Sequence, residues 1–64
     1  MYENYAKLRD EKGLKDYDIA KLSGVATATL SCWKNGHYTP KIPKLRKIAN
    51  VLGVTVDELI KEEG

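Results

Sequence analysis

The chain has 64 residues, of which 42% are hydrophobic and 31% are charged, and its net charge is +2. This length suffices for a single domain, and the composition argues against a disordered chain. The single cysteine, Cys32, excludes an internal disulfide and fits a reducing cytoplasm. No apolar run approaches the roughly 20 residues of a membrane span, and the N-terminus lacks a signal-peptide core. We therefore expect a soluble, intracellular domain with no membrane partner.

Charge is distributed unevenly along the chain. Residues 1–18 contain four basic and five acidic side chains, and residues 57–64 contain one basic and four acidic ones. Between them, residues 19–56 contain six lysines and arginines and no acid. A central basic block suits a polyanionic partner, because lysine and arginine near phosphates release condensed counterions. A basic surface that is merely solvated explains the same charges equally well.

The N-terminal third predicts two short helices. The first is expected to run to about Lys12 and to end at Gly13, a residue typical of helix C-termini. Three apolar residues predict the second helix, which ends at Gly24: Ile19, Ala20 and Leu22. Its start is open between Lys15, which caps poorly, and Asp16, which caps well.

Three further helices follow. Leu30 and Trp33 mark the buried side of a third helix that closes at 35–36. An i, i+3, i+4, i+7 stripe predicts the fourth helix: Leu45, Ile48, Ala49 and Leu52. The fifth helix begins with a capping box formed by Thr55 and Glu58. No stretch alternates with period two, so the expected fold is five short helices around one core.

The second and third helices are spaced as a helix-turn-helix. Residues 16–23 and 27–35 are separated by Gly24-Val25-Ala26, a turn of the length and composition that this motif uses. Helical hairpins with glycine occur in many all-α domains, so the spacing alone is weak evidence. The central basic block raises the expectation that this pair binds DNA.

Five segments spread over nearly the whole chain show a further pattern: LRDEKGL (8–14), IAKLSGV (19–25), TLSCWKNG (29–36), Pro40 and KLRKIANVLGVTVDEL (44–59). With them the sequence resembles the Cro/C1-type (XRE-like) helix-turn-helix domains of phage and bacterial repressors. It looks most like the small phage repressor domains whose third helix ends in Trp-Lys-x-Gly.

The resemblance implies one compact, all-α, five-helix lambda-repressor-like domain over 1–64, with the helix-turn-helix at about 16–35. It implies a sequence-specific regulator of transcription, expected to be a phage or mobile-element repressor, whose third helix lies in the major groove of a double-stranded DNA operator. Such a protein would act in the cytoplasm, on the nucleoid. The alternative is a protein-interaction or antitoxin-like adaptor built on the same fold.

The family's base-reading positions fall on the outward face of the third helix: Thr27, Ala28, Ser31 and Cys32. The resemblance places backbone contacts near Asp16, Tyr17, Asn35 and the following loop, which contains Tyr38. Ala28 and Cys32 are suited to thymine methyl groups or simply allow close approach. Three lysines are candidates for phosphate contact: Lys34, Lys41 and Lys44. For the polar residues and lysines, plain solvation is the alternative; the tyrosine rings alternatively cover the edge of the core.

Several positions depart from the family pattern. Asp16 replaces a glutamine that contacts phosphate, and an ionised carboxylate cannot donate a hydrogen bond, so we expect it to cap the second helix. Ala26 replaces a common serine, so Thr27 is the expected cap of the third helix.

Lys34 replaces a glutamate that pairs with the arginine matching Arg9. We therefore expect Arg9 to bind Asp10 or Glu58 instead, which leaves Lys34 to face a phosphate.

Other site classes have little support. His37 has only Cys32 nearby as a further ligand, and a zinc site needs three or four. Cys32 lacks a paired base, so nucleophilic catalysis is not expected. The sequence predicts no enzyme, no cofactor and no small-molecule ligand.

A single small domain buries limited surface on DNA, so tight binding is expected to require a homodimer, at least on DNA. Leu59 and Ile60 are candidates for the dimer contact, and their burial in the monomer core is the alternative.

Overall fold

The computed structural model describes residues 1–61, which form five helices and no strand. The helices are α1 (Tyr2–Glu11), α2 (Asp16–Ser23), α3 (Thr27–Lys34), α4 (Ile42–Leu52) and α5 (Val56–Ile60). The expected all-α, five-helix architecture is confirmed. No helix within these residues is long and apolar enough to cross a membrane.

The helices pack around one hydrophobic core. α2 packs on α3 and α4, and α5 packs on α1 and α4. Side chains from all five helices and from the turn before α3 are buried: Tyr5, Ile19, Val25, Leu30, Trp33, Leu45, Ile48, Ala49, Leu52 and Leu59. The predicted stripe of α4 supplies four of them. Full burial of a large apolar side chain stabilises a fold by about 1.5–3 kcal/mol, so this core is the main source of stability.

The turn between α2 and α3 depends on Gly24. Its φ of 77° lies in the left-handed region, which residues with a Cβ rarely adopt. Its backbone N–H donates to the carbonyl of Ala20 at 2.9 Å and ends α2. The next residue, Val25, returns to the core. The glycine therefore lets the chain reverse within three residues and begin α3 on the same core.

The starts of α2 and α3 differ from the sequence expectations. Asp16 does not cap α2; the N-cap is Lys15, whose backbone N–H donates to the Asp18 carboxylate at 3.0 Å. Thr27 does not cap α3, because it is already helical and the extended N-cap residue is Ala26. A capping residue needs extended dihedral angles, which neither Asp16 nor Thr27 has in this fold.

Leu22, one of the three residues that predict α2, is 63% exposed. At 100° per residue it lies only about 60° from the buried Ile19 on the helix surface, so the helical period places it near the core face, yet the packing of the other helices leaves it uncovered. The apolar residues at the end of α2 therefore predicted the helix correctly and its buried face only in part.

α5 is held by polar contacts at both ends. The Thr55 hydroxyl accepts from the backbone N–H of Glu58 at 3.1 Å, which confirms Thr55 as the cap and one of the two bonds of the predicted capping box. The Glu58 carboxylate accepts from the Thr55 hydroxyl at 3.4 Å rather than from the Thr55 backbone N–H. At the other end, the side-chain amide of Asn4 donates to the carbonyls of Glu58 and Leu59. Asn4 thus ties α1 to α5 on a side of the domain outside the helix-turn-helix.

Replacing Thr55 by Ala should lower the free energy of unfolding by about 1 kcal/mol, because one N-terminal N–H of α5 loses its acceptor. Chemical denaturation followed by circular dichroism measures this loss. Thr39→Ala is the matched control, since Thr39 is exposed in the loop before α4 and should change stability by less than about 0.5 kcal/mol. Equal stabilities for the two variants would contradict the role of the cap.

Candidate nucleic-acid interface

α3 divides into a buried and an outward face. Leu30 is 0% exposed and Trp33 4%, as the spacing predicts, and Thr29 is buried beside them. On the helical wheel the outward direction lies opposite these three residues. Thr27, Ala28 and Ser31 are exposed on that side, whereas Cys32 is half-buried. The three exposed side chains form the outward face of α3, and Cys32 lies at its edge.

The other predicted contact residues are all exposed. Tyr17, near the start of α2, is 69% exposed, and Tyr38, in the loop after α3, is 49% exposed. Asn35 and the lysines are exposed as well, the latter comprising Lys34, Lys41 and Lys44. The tyrosine rings therefore do not fill the core. A shallow groove at the end of α3 brings Lys34, Tyr38 and Thr39 together with Glu3 from the start of α1.

The chain from the start of α3 to the end of α4 carries positive charge and no acid. The first turns of α3 and α4 contain no acidic residue, whereas α1, α2 and α5 each have at least one there. Within residues 1–61, Lys34, Lys41 and Lys44 form no ion pair. Glu3 lines the same groove as Lys34 without pairing with it. The three unpaired charges are therefore available to an anionic partner.

α3 is fixed at its C-terminal end by a cluster of aromatic rings. The ring of Trp33 lies 5.5 Å from that of Tyr2 in a perpendicular arrangement and 5.0 Å from that of Tyr5 at 30°. The two tyrosines are themselves 5.2 Å apart. Such ring pairs stabilise a fold by about 0.5–1.5 kcal/mol beyond their buried area. Trp33 is thus a core anchor, as the sequence predicts, and it joins α3 to α1.

The same tyrosines bind Asp16 at the start of α2. The hydroxyl of Tyr5 donates to Oδ1 of Asp16 at 2.7 Å, and that of Tyr2 donates to Oδ2 at 2.8 Å. The Arg9 guanidinium donates to Oδ1 at 2.7 Å and to the Tyr2 hydroxyl at 3.1 Å. We call these four side chains the Asp16 network. It satisfies both carboxylate oxygens with donors from α1, which is why Asp16 is not a helix cap.

The network sets the protonation of its members. Partial burial raises the pKa of the Asp16 carboxyl, but hydrogen bonds from Tyr5, Arg9 and Tyr2 outweigh it and hold the pKa below its usual value. Burial, and then the hydrogen bond to Asp16, raises the pKa of the Tyr5 hydroxyl. Tyr5 therefore keeps its proton and remains a donor to an ionised Asp16.

Acid should weaken the fold through Asp16. A carboxyl whose pKa is lower in the folded than in the unfolded chain stabilises the fold above its unfolded pKa, near the ordinary value of 3.8, and this stabilisation is lost as the pH falls through the folded pKa. Asp16→Asn should therefore lower the melting temperature at pH 7, and the melting temperatures of wild type and variant should converge below pH 3.8. Thermal melts between pH 2 and pH 7 test this; a constant difference would contradict it.

The partner of Arg9 was predicted in part. Arg9 binds Asp10 at 2.9 Å, one of the two expected partners, and the carboxylate of the other, Glu58, is used in the cap of α5. The sequence does not predict the ion pair of Arg9 with Asp16, which is 2.7 Å long. The available signal was the spacing of Tyr2, Tyr5 and Arg9, whose polar groups lie at i, i+3 and i+7 on one side of α1.

Known proteins with a matching sequence place this arrangement in a family. The helix-turn-helix family model matches residues 6–59. The chain belongs to the helix-turn-helix family. The match contains α2, the turn and α3, together with most of α1, all of α4 and most of α5. The resemblance to Cro/C1-type (XRE-like) domains inferred from the sequence is confirmed.

Relatives and one solved structure extend this finding. An uncharacterized HTH-type transcriptional regulator of Sinorhizobium fredii is 37% identical over 57 residues, which cover 89% of this chain and 74% of that protein. The ImmF control region 10 kDa protein of Bacillus phage phi105 is 36% identical over 63 residues, covering 88% of this chain and 70% of that protein. The crystal structure of a transcriptional regulator from Listeria innocua superposes with a TM-score of 0.72 at 35% identity.

The helix-turn-helix domain accounts for only part of some relatives. The superposition covers 98% of this chain but 62% of the Listeria innocua chain.

Within residues 1–61, no three His, Cys, Asp or Glu side chains lie close enough together to hold a metal ion.

Proposed function

We propose that this helix-turn-helix domain is a sequence-specific, double-stranded DNA-binding regulator of transcription, of the phage or mobile-element repressor type, acting in the cytoplasm on its operator. One observation carries the proposal. The outward face of α3 is exposed and free of acids, and exposed lysines adjoin it in sequence at the end of α3 and the start of α4.

Two sets of side chains have different roles in the proposed complex: one contacts the bases, and the other binds the phosphates and supplies affinity. Thr27, Ala28 and Ser31, with Cys32 at their edge, face the bases when α3 lies in the major groove. None of them is a long forked donor, so hydroxyl contacts and contacts with thymine methyl groups carry the sequence reading. The exposed residues around α3 bind the phosphates: Tyr17, Lys34, Asn35, Tyr38, Lys41 and Lys44. The relatives named as transcriptional regulators support the same function.

The small size of the domain supports a homodimer on two half-sites. Leu59 is fully buried in the monomer and therefore unavailable for the dimer contact for which it was a candidate. Ile60 packs partly against the same core. Sedimentation at high micromolar concentration, with and without operator DNA, tests the dimer; a monomer under both conditions would contradict it.

Selection from a random duplex library, followed by sequencing, tests the proposed function directly. Enrichment of one motif, repeated at a fixed half-site spacing, is the expected result. Replacing its thymines by uracil should then weaken binding at particular positions, because uracil lacks the methyl group. Absent or salt-independent binding to any duplex would overturn the function and favour a protein-interaction adaptor.

The lysines make a separate, quantitative prediction. Replacing Lys34, Lys41 and Lys44 by Gln should reduce the slope of log affinity against log salt by up to about 2.7, at about 0.9 for each phosphate that is no longer neutralised. Filter binding or fluorescence anisotropy between about 50 and 300 mM salt measures the slope. The matched control replaces Lys7, Lys12 and Lys61 by Gln, which removes the same charge from the acidic segments of the chain. Equal slopes for the two triple variants would contradict the assignment.

A further inference from the structure

The Asp16 network connects α1 to both ends of the helix-turn-helix. Asp16 is the first residue of α2, and Trp33 is the last residue but one of α3. The rings of Tyr2 and Tyr5 pack on Trp33, while their hydroxyls donate to Asp16. One pair of tyrosines therefore contacts the beginning of α2 and the end of α3 at the same time.

These side chains bridge helices that do not pack closely along their backbones. The close backbone neighbour of α1 is α5, and the close neighbours of α2 are α3 and α4. Hydrophobic burial is non-directional and tolerates small shifts of one helix on another. Hydrogen bonds of 2.7–2.8 Å to both oxygens of one carboxylate do not tolerate such shifts, because a hydrogen bond weakens steeply as its distance and angle change. The network thus restricts the placement of α2 and α3 relative to α1.

The outward face of α3 makes that placement matter. Thr27, Ala28 and Ser31 are short, so they reach base edges only if the helix backbone lies close to the groove floor. Lysine side chains, by contrast, follow phosphates over several ångströms with little loss. A small shift of α3 would therefore reduce specific binding, which needs base contacts, and leave non-specific phosphate binding nearly unchanged.

We propose that Asp16 is a positioning residue for sequence reading: through Tyr2, Tyr5 and Arg9 it holds the helix-turn-helix at the angle that lets the short side chains of α3 meet the bases. The proposal rests on the proposed function. It gives Asp16 a role in DNA reading without any contact to DNA, since three donors from α1 already occupy its carboxylate.

The test compares Asp16→Asn with a matched destabilised variant. Asn4→Ala removes the hydrogen bonds from α1 to α5 and touches no residue of the Asp16 network. Each protein is measured where circular dichroism shows it folded, on the selected operator and on a scrambled duplex. The ratio of specific to non-specific affinity should fall at least about tenfold in D16N and by less than about twofold in N4A. The salt slope on the scrambled duplex should stay that of wild type in both, because the phosphate contacts remain.

Tyr2→Phe provides a milder second variant. It removes one donor to Asp16 and keeps the ring on Trp33, so its affinity ratio should fall between those of wild type and D16N. If D16N does not fold, Y2F decides the outcome.

Two results would overturn the proposal in distinguishable ways. A wild-type chain that prefers no duplex overturns the proposed function, and the positioning role with it. The positioning role alone is overturned if the wild-type chain prefers its operator and the folded variants of the network have the same ratio of specific to non-specific affinity as N4A.

Discussion

Replacing Trp33 by Ala should remove most of the stability of the domain, with an expected loss of about 3–5 kcal/mol in the free energy of unfolding. Trp33 is buried, and its ring packs on two tyrosine rings. A chain of this length is expected to have a total stability of only about 3–10 kcal/mol. The variant should therefore be largely unfolded at 37 °C and bind no operator.

Urea denaturation followed by far-ultraviolet circular dichroism measures this loss without relying on the deleted fluorophore. Trp33→Phe should recover a large part of it, because an aromatic ring again faces Tyr2 and Tyr5. Tyr38→Ala is the matched aromatic control, since Tyr38 is exposed in the loop after α3, and it should change stability by less than about 0.5 kcal/mol. A loss below about 1 kcal/mol in W33A would contradict the anchoring role.

Replacing Ser31 by Glu should reduce operator affinity by at least about 100-fold without unfolding the domain. Ser31 is exposed on the outward face of α3, and glutamate has a good helix propensity. In the proposed complex, the new carboxylate would face base edges between two rows of phosphates and would lose its hydration without gaining a cation. Fluorescence anisotropy measures the affinity for the operator, and thermal melting measures stability. Together they distinguish a loss of DNA binding from unfolding of the domain.

Asn50→Glu is the control for S31E. It introduces the same charge at an exposed helical position near the C-terminal end of α4, outside the proposed interface, and should bind DNA within about threefold of wild type. Equal affinities for S31E and N50E would show that α3 is not the reading helix, even if the chain binds DNA by another surface.

Local sequence rules predicted the five helices and most of their ends, because these features depend on nearby residues. Gly13, Gly24 and Gly53 end or follow helices with positive φ, and the cap of α5 forms between residues three apart. The stripe of α4 needs only helical periodicity to identify its buried side. The same periodicity separated Leu30 and Trp33 from the outward face of α3, so most of the candidate interface was also visible in the sequence.

The error at Asp16 arises because its side chain has both a local and a distant hydrogen-bonding partner available. Asp16 has the right chemistry for a cap, and local rules rank it above Lys15. In the fold its carboxylate binds residues that precede it by 7 to 14 positions, because the packing of α1 brings their donors within 2.8 Å. Two tyrosine donors and a guanidinium outweigh one backbone N–H, so the cap is not formed.

Five helices, one core and a helix-turn-helix in a basic block without acids can all be predicted from the sequence, because helix ends, apolar stripes and charge blocks are local properties. Which polar groups meet depends on the packing of the helices. This packing placed Asp16 among the side chains of α1, buried Leu59, left Leu22 exposed and set Cys32 at the edge of the outward face. These outcomes depend on how whole helices pack, and helix packing depends on contacts between residues far apart in the chain.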